Sequence, residues 1–364
     1  VLAWKFLTGP RTDGPDTELT AATGRQVTVR VGQPSDASFN LDGRHEQAAG
    51  IVELTTDLWC WRGQELLHRG RVGASTDEIT SDAHACTFNA PDYRALLDRR
   101  FLHDTDKLTY PGEDQASIAW QVVQATQAKA GGSLGVTRGT GQTTGYLRDR
   151  FYPGGTPIGE AINGLGDLAD GFDWEIDPQL RLNVFTPQRG RDTDVVLDFG
   201  GMVTTVSRAF SPSDYANSVR AVAAVNPQAP QYREATNIGV RPEGRFELER
   251  GFPDIYESGT LSARADALLA DAQVLRPSYT LTLAADRYPG TEELWVGDSV
   301  IVRVRSGRLN IADRLRVEAI NFTPGEDGQE TVRVTVGHPN PAGQFASRLR
   351  KTDARLAVLE RRTP

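Results

Sequence analysis

The stretch DGFDWEIDPQLRLNVFTPQRG, residues 170–190, gathers four carboxylates, Asp170, Asp173, Glu175 and Asp177, around Phe172 and Trp174. Two carboxylates in unequal surroundings can divide the roles of acid and base, which is how glycosidic bonds are cut. That chemistry needs a cleft, whereas the local pattern predicts a strand. Phe172, Trp174 and Ile176 alternate with Asp173 and Glu175, so one face is apolar and the other polar. The turn DPQ leads into Leu180, Leu182 and Val184. The whole reads as a hairpin that buries Trp174 and leaves Asp173 and Glu175 on a solvated face, with Arg181 opposite as their cross-strand partner.

The other candidates have bland readings too. Ser133 in GGSLG matches G-x-S-x-G, but a nucleophile elbow needs a strand before the serine and a helix after it. Here a helix is predicted before it and a Gly/Thr-rich loop after it. The loop GTGQTTG, residues 139–145, has the composition of a phosphate loop without its lysine or its G-x-G-x-x-G spacing. Cys60 and Cys86 fall in the strand-like runs TTDLWCW and HACTFNA and are expected to be buried free thiols. The histidines at 45, 68, 84, 103 and 338 make no H-E-x-x-H motif, and none is expected to pair closely with a cysteine. Trp59 and Trp61 share a strand face and would form a sugar platform if exposed; core or interface is the expectation at this spacing. Arg99 and Arg100 end a predicted helix, where cations complement the dipole. The sequence therefore predicts no catalytic residue, no cofactor and no metal site.

These residues sit in a chain of 364, long enough for two or three domains. Residues 1–90 carry short alternating runs such as QVTVRV and TTDLWCW, which predict a first tube-like β-barrel. Residues 91–200 predict a small α+β domain ending in the hairpin. Its first helix starts at APDYRALLDRRFL with Asp92 as N-cap. Its second carries Ile118, Ala119, Val122 and Val123 on one stripe, and its third opens with Thr156 and Pro157. Residues 201–225 and 277–340 predict a second β-barrel, interrupted by an insertion at 226–276 that ends in a helix. At 341–364 a short C-terminal helix is expected, with Phe345, Leu349, Thr352, Leu356 and Leu359 spaced by four and three. The fold class is α+β and β-rich.

Composition narrows the partners. A net charge of -8 and a pI near 5.3 give nucleic acid little to grip. Lysine occurs only at 5, 107, 129 and 351, so almost every cation is arginine. A mean hydropathy of -0.42, with no apolar run near the roughly 20 residues of a membrane span, predicts no membrane crossing. The N-terminal residues lack a secretory pattern, and the cytoplasm that makes the chain is the expected compartment.

Five phrases occur in order between about residues 85 and 340: APDYRALLDRR, GFDWEIDPQLRLNVFTPQRG, VVLDFGG, YANSV and VGDSV. Together they resemble the baseplate hub, or minor tail protein, of long-tailed phages (siphoviruses) infecting actinobacteria. That resemblance implies a virion structural protein, present at the tail tip and in the host cytoplasm during assembly. It implies a homotrimer whose paired barrels adapt a sixfold tail tube to a threefold central fibre or spike. The implied partners are the distal tail protein ring, the tape measure protein and the fibre or spike, with DNA passing through the channel without specific binding. Longer members carry peptidoglycan-cutting or receptor-binding modules, which this chain is not expected to have. The alternatives are a cell-wall carbohydrate-active enzyme, marked by a cleft with a perturbed carboxylate pair, and a host-surface binding module, marked by exposed Trp59 and Trp61.

Overall fold

In the first ninety residues alternation becomes strand, as the pattern predicts. Asp36–Asp42 buries Ala37, Phe39 and Leu41 and turns Ser38 and Asn40 toward the other face. It pairs with Thr23–Arg30 on one side and His84–Pro91 on the other, and Ala74–Ile79 forms the edge. A second sheet runs in the order Thr17–Glu18, Trp4–Pro10, Thr56–Arg62, Glu65–Arg71. Phe6 meets Phe39 edge-on at 6.3 Å between ring centroids, and Phe39 stacks on Phe88 at 5.3 Å. An aromatic core therefore joins the two sheets.

The computed structural model describes residues 3–166, 170–210, 212, 215–223, 231–237, 243–251, 258–273, 277–326 and 328–337. The expected C-terminal helix lies outside them, as does His338. Two compact units are present, one of Val1–Val206 with Thr280–Val336, the other of Ser207–Tyr279 with Gly337–Pro364.

In the first unit the two strand-rich segments share a sheet. Leu309–Pro324 pairs along its first half with Ser299–Ser306, and along its second half with both Glu330–Gly337 and Thr23–Arg30. A register shift between Val317 and Ala319 lies where the partners change, as a bulge allows. Phe322 on this strand packs against Trp4, Tyr288 and Trp295, with centroids 5.7, 5.3 and 6.4 Å away. The expected α+β, β-rich class is observed. Barrel closure is not: among the described residues the strand pairings form open orders, and no sheet returns to its own first strand.

Between these segments lies the helical part. Asp92 caps Tyr93–Leu97 as expected, accepting from the backbone N–H of Arg94 and Ala95. Asp114 caps Gln115–Gln127 in the same way, and the predicted stripe of Ile118, Ala119, Val122 and Val123 is fully buried. Ile158–Gly166 adds Ile158, Ile162 and Leu165 to the same core. The hairpin of Asp173–Ile176 and Arg181–Phe185 covers that core with Phe172, Trp174, Ile176 and Leu182, so its apolar face is the one alternation selects.

The second unit holds a three-stranded sheet, Gln231–Thr236, Ser218–Ala223 and Glu247–Gly251, with the helix Ser258–Ala272. Val219, Ala221 and Ala223 meet Leu261 and Ala265 in its core. The sequence division assigns Ser218–Ala223 to the second barrel, yet the strand pairs within the helix-bearing segment. Alternation identifies a strand but carries no information on which sheet receives it.

Trp174 is 4% exposed, and its Nε1–H donates to Asn163 Oδ1 at 3.0 Å. Trp174→Ala is expected to cost about 3–5 kcal/mol, the range for large aromatic truncations in cores. A denaturant midpoint equal to that of the unsubstituted protein would overturn this placement.

Candidate functional site

The polar face of the hairpin is half-buried and ion-paired, which corrects the expectation of a solvated face. Asp173 Oδ2 accepts from the backbone N–H of Arg189 at 2.7 Å and pairs with the Arg316 guanidinium. Glu175 pairs with the Arg189 guanidinium. Arg181, expected as their cross-strand partner, instead holds Asp177 through its backbone N–H at 2.8 Å and its Nε at 2.7 Å. Register explains the change: Glu175 stands opposite Asn183 and Asp173 opposite Phe185, which leaves Arg181 beside the turn. Burial raises the pKa of Glu175, and Arg189 opposes the rise.

These groups border a cleft of about 440 Å³ lined by Trp61, His68, Asp92, Arg94, Glu175 and Arg189 among others. His68 is fully buried, and burial pushes its pKa down to about 4, so the ring is neutral near pH 7. Its Nε2 lies 2.9 Å from the Ala90 carbonyl and donates to it. Burial raises Asp92 to about 7, against the backbone N–H groups of Ser35, Ala95 and Arg94 that favour its ionised form. Arg94 is 5% exposed and stacks on Trp174, with Cζ 3.8 Å from the ring centroid. Its guanidinium donates to Trp174 O at 2.5 Å, Gly32 O at 2.8 Å and Asn163 Oδ1 at 3.0 Å. A second buried cluster lies nearby in sequence. Asp57, fully buried, accepts from Arg69, from Arg71 and from the Tyr93 hydroxyl at 2.5 Å. The chemistry of this arrangement is that of a joint, in which cations fasten backbone carbonyls and carboxylates from separate segments.

Two of the sequence phrases meet here. Gly190, at φ +92, lies so close to Gly297, at φ +95, that a Cβ on Gly190 would fall 2.1 Å from the Gly297 carbonyl carbon. Asp298 then accepts from the backbone N–H of Arg191 at 3.0 Å and of Trp295 at 2.9 Å. TPQRG and VGDSV are thus two sides of one backbone contact that only glycine permits.

The remaining candidates are placed as follows. Ser133 is exposed in the loop after Gln115–Gln127, and no strand leads into it. The 139–145 loop wraps a carboxylate of its own chain. Asp114 Oδ2 accepts from Thr143 Oγ1, Thr144 N, Thr144 Oγ1 and Gly145 N at 2.8–3.0 Å, and these donors outweigh burial to lower its pKa. Trp59 is buried under Arg69, whose Cζ is 4.8 Å from the ring centroid, so Trp59 and Trp61 form no exposed platform. Arg100 reaches the carbonyl of Gly132. Cys60 and Cys86 are free and buried, as predicted. Cys86, however, lies 3.7 Å from His84 Nε2, which corrects the expectation that no histidine pairs closely with a cysteine. The signal was the spacing His-x-Cys within a strand, which puts both side chains on one face.

No protein-family model matches the sequence, and no curated protein matches it either. Solved structures do match. The 43 kDa tail protein of prophage MuSo2 from Shewanella oneidensis aligns at TM-score 0.63 and 15% identity, covering 92% of this chain and 98% of that one. A tail protein from Neisseria meningitidis MC58 aligns at 0.63 and 12%, covering 92% and 97%. Prophage tail protein gp18 from Listeria monocytogenes EGD-e aligns at 0.55 and 12%, covering 95% and 98%. The chain has the fold of phage tail proteins. At 12–15% identity the tail-protein fold is carried by packing pattern rather than by shared residues. Among the described residues, no helix is long and apolar enough to cross a membrane.

The joint makes stability depend on pH. Burial raises Glu318 to about 7; Arg316 lowers it and Asp173 adds to the rise. A carboxyl whose folded pKa exceeds its unfolded value of about 4.3 binds extra proton in the fold. Its stabilising contribution is therefore full at acid pH and is lost as pH climbs through about 7. Between about pH 5 and pH 8 the denaturation midpoint is expected to fall more steeply for the unsubstituted protein than for Glu318→Gln. Parallel profiles would show that Glu318 titrates as an ordinary carboxyl.

Proposed function

We propose that the chain is a structural tail-tip (baseplate) hub of a long-tailed actinobacterial phage, a homotrimer around the DNA channel. It adapts the sixfold tail tube to a threefold central fibre or spike, and it contacts the distal tail ring and the tape measure protein. The observation that carries this reading is the near end-to-end likeness to tail proteins in both directions, 92% of this chain against 98% and 97% of theirs. Two further features support it. The cations and carboxylates of the cleft are engaged in fastening segments, which suits a part that must keep its shape under load. The net charge of -8 suits a channel wall that lets phosphates pass without adhesion. The cleft does hold two raised carboxyls, Asp92 and Glu175, but Asp92 is engaged in capping a helix and accepting from the backbone N–H of Ser35, Glu175 is ion-paired with Arg189, and Trp59 is buried. The enzyme and glycan-binding alternatives therefore gain no such support.

Two strand-rich segments per chain give a trimer six similar units around the axis, and closed symmetry would cover sheet edges that are open in one copy. Reconstruction of assembled tails is expected to show three copies on the tail axis below the tube. Six copies in the ring, or a position away from the axis, would overturn the proposal.

A further inference from the structure

The hairpin of Ala74–Ile79 and His84–Pro91 brings three kinds of metal ligand to one point. Asp77 faces Cys86 directly across the antiparallel pair, and His84 precedes Cys86 by two residues on the same strand face. Cys86 Sγ lies 2.7 Å from Asp77 Oδ1 and 3.7 Å from His84 Nε2, and His84 Nε2 lies 3.4 Å from Asp77 Oδ1. From these contacts we propose that Asp77, His84 and Cys86 bind one zinc ion, with a water as fourth ligand, and clip the edge strand to its neighbour.

The donor set of thiolate, imidazole and carboxylate suits zinc better than calcium or magnesium, which prefer all-oxygen shells. Zinc bonds of about 2.0–2.3 Å at tetrahedral angles separate ligand atoms by about 3.3–3.7 Å. Both His84 distances already fall in that range. At the shorter Asp77 to Cys86 separation the thiol S–H donates a hydrogen bond to the carboxylate. Zinc replaces that proton, which leaves to solvent, and the carboxylate then moves outward by under about 1 Å. Asp77 has room to do so, since its side chain is exposed, and the same open side admits the water.

The imidazole is positioned by a glycine. A Cβ on Gly43 would lie 2.5 Å from both Cε1 and Nε2 of His84 and 2.6 Å from its Cδ2. Any other residue at 43 must push the metal-facing edge of the ring aside. The clip also has a physical use. Ala74–Ile79 ends the sheet, most of its side chains are exposed, and an unpinned edge invites pairing with other chains.

The test uses the full chain, free of any histidine tag and stripped of metal by chelation, titrated first with Co²⁺ and then with Zn²⁺. The expected result is a thiolate-to-cobalt charge-transfer band with tetrahedral ligand-field bands, complete at one equivalent and bleached by zinc. Cys86→Ser should abolish the charge-transfer band. His84→Gln and the solvent-facing Asp77→Asn should each weaken binding at least tenfold, with circular dichroism unchanged. Gly43→Ala should weaken it about 10–100-fold, as changes to groups that orient ligands do. No band in the unsubstituted protein, a band that survives Cys86→Ser, or full affinity in folded His84→Gln and Asp77→Asn would overturn the site.

Discussion

The buried guanidinium of Arg94 is the constraint on which the first unit turns. It lies on the face of Trp174 and reaches carbonyls at Gly32 and Trp174 and the side chain of Asn163. Those acceptors belong to the first β segment, the hairpin and a helix. Burying a cation is costly, and burial lowers the pKa of Arg94 to about 10, still well above neutrality. Asp92, Asp98, Asp173 and Glu175 supply the negative field that keeps it charged. Lysine would not serve, because one ammonium cannot both stack flat on an indole and present a planar fork of donors. The near absence of lysine from the chain is consistent with a fold assembled through such forks.

The carboxylates follow from the same logic. A cluster such as Asp57 with Arg69, Arg71 and Tyr93 does little for net stability compared with apolar packing, but it accepts only one geometry. It ties Tyr93, the first residue of the helix Tyr93–Leu97, to the strands Thr56–Arg62 and Glu65–Arg71. Arg62 does likewise between segments far apart in sequence, pairing with Glu330, to which Trp4 Nε1 also donates at 3.0 Å. The hairpin carboxylates that resemble acid and base partners in the sequence are ion-paired instead, Glu175 and Asp177 with Arg189 and Arg181 nearby and Asp173 with the distant Arg316.

Much of this was legible in the sequence where the signal is local. Alternation gave the buried face of the hairpin, Asp92 announced its helix, and the stripe from Ile118 to Val123 marked the second helix. What was missed depends on meetings that no local pattern encodes. Asp173 meets Arg316 from 143 positions away, so its polar face looked solvated. Ser218–Ala223 looked like any half-buried strand until its partners were known. The pairing of His84 with Cys86 was a different failure, since strand period alone places them together. Only the third member, Asp77, needed the hairpin register.

The phrases TPQRG and VGDSV show why short, weak motifs can still report a fold. Singly they are turn residues of no chemical note. In space Gly190 and Gly297 touch backbone to backbone, and Asp298 ties the two loops through Arg191 and Trp295. A contact of this kind tolerates almost any side chain around it and no side chain at the glycines themselves. Such contacts are compatible with the same fold being shared at only 12–15% identity. Order and spacing of such contacts are then what sequence can reveal about a fold of this kind.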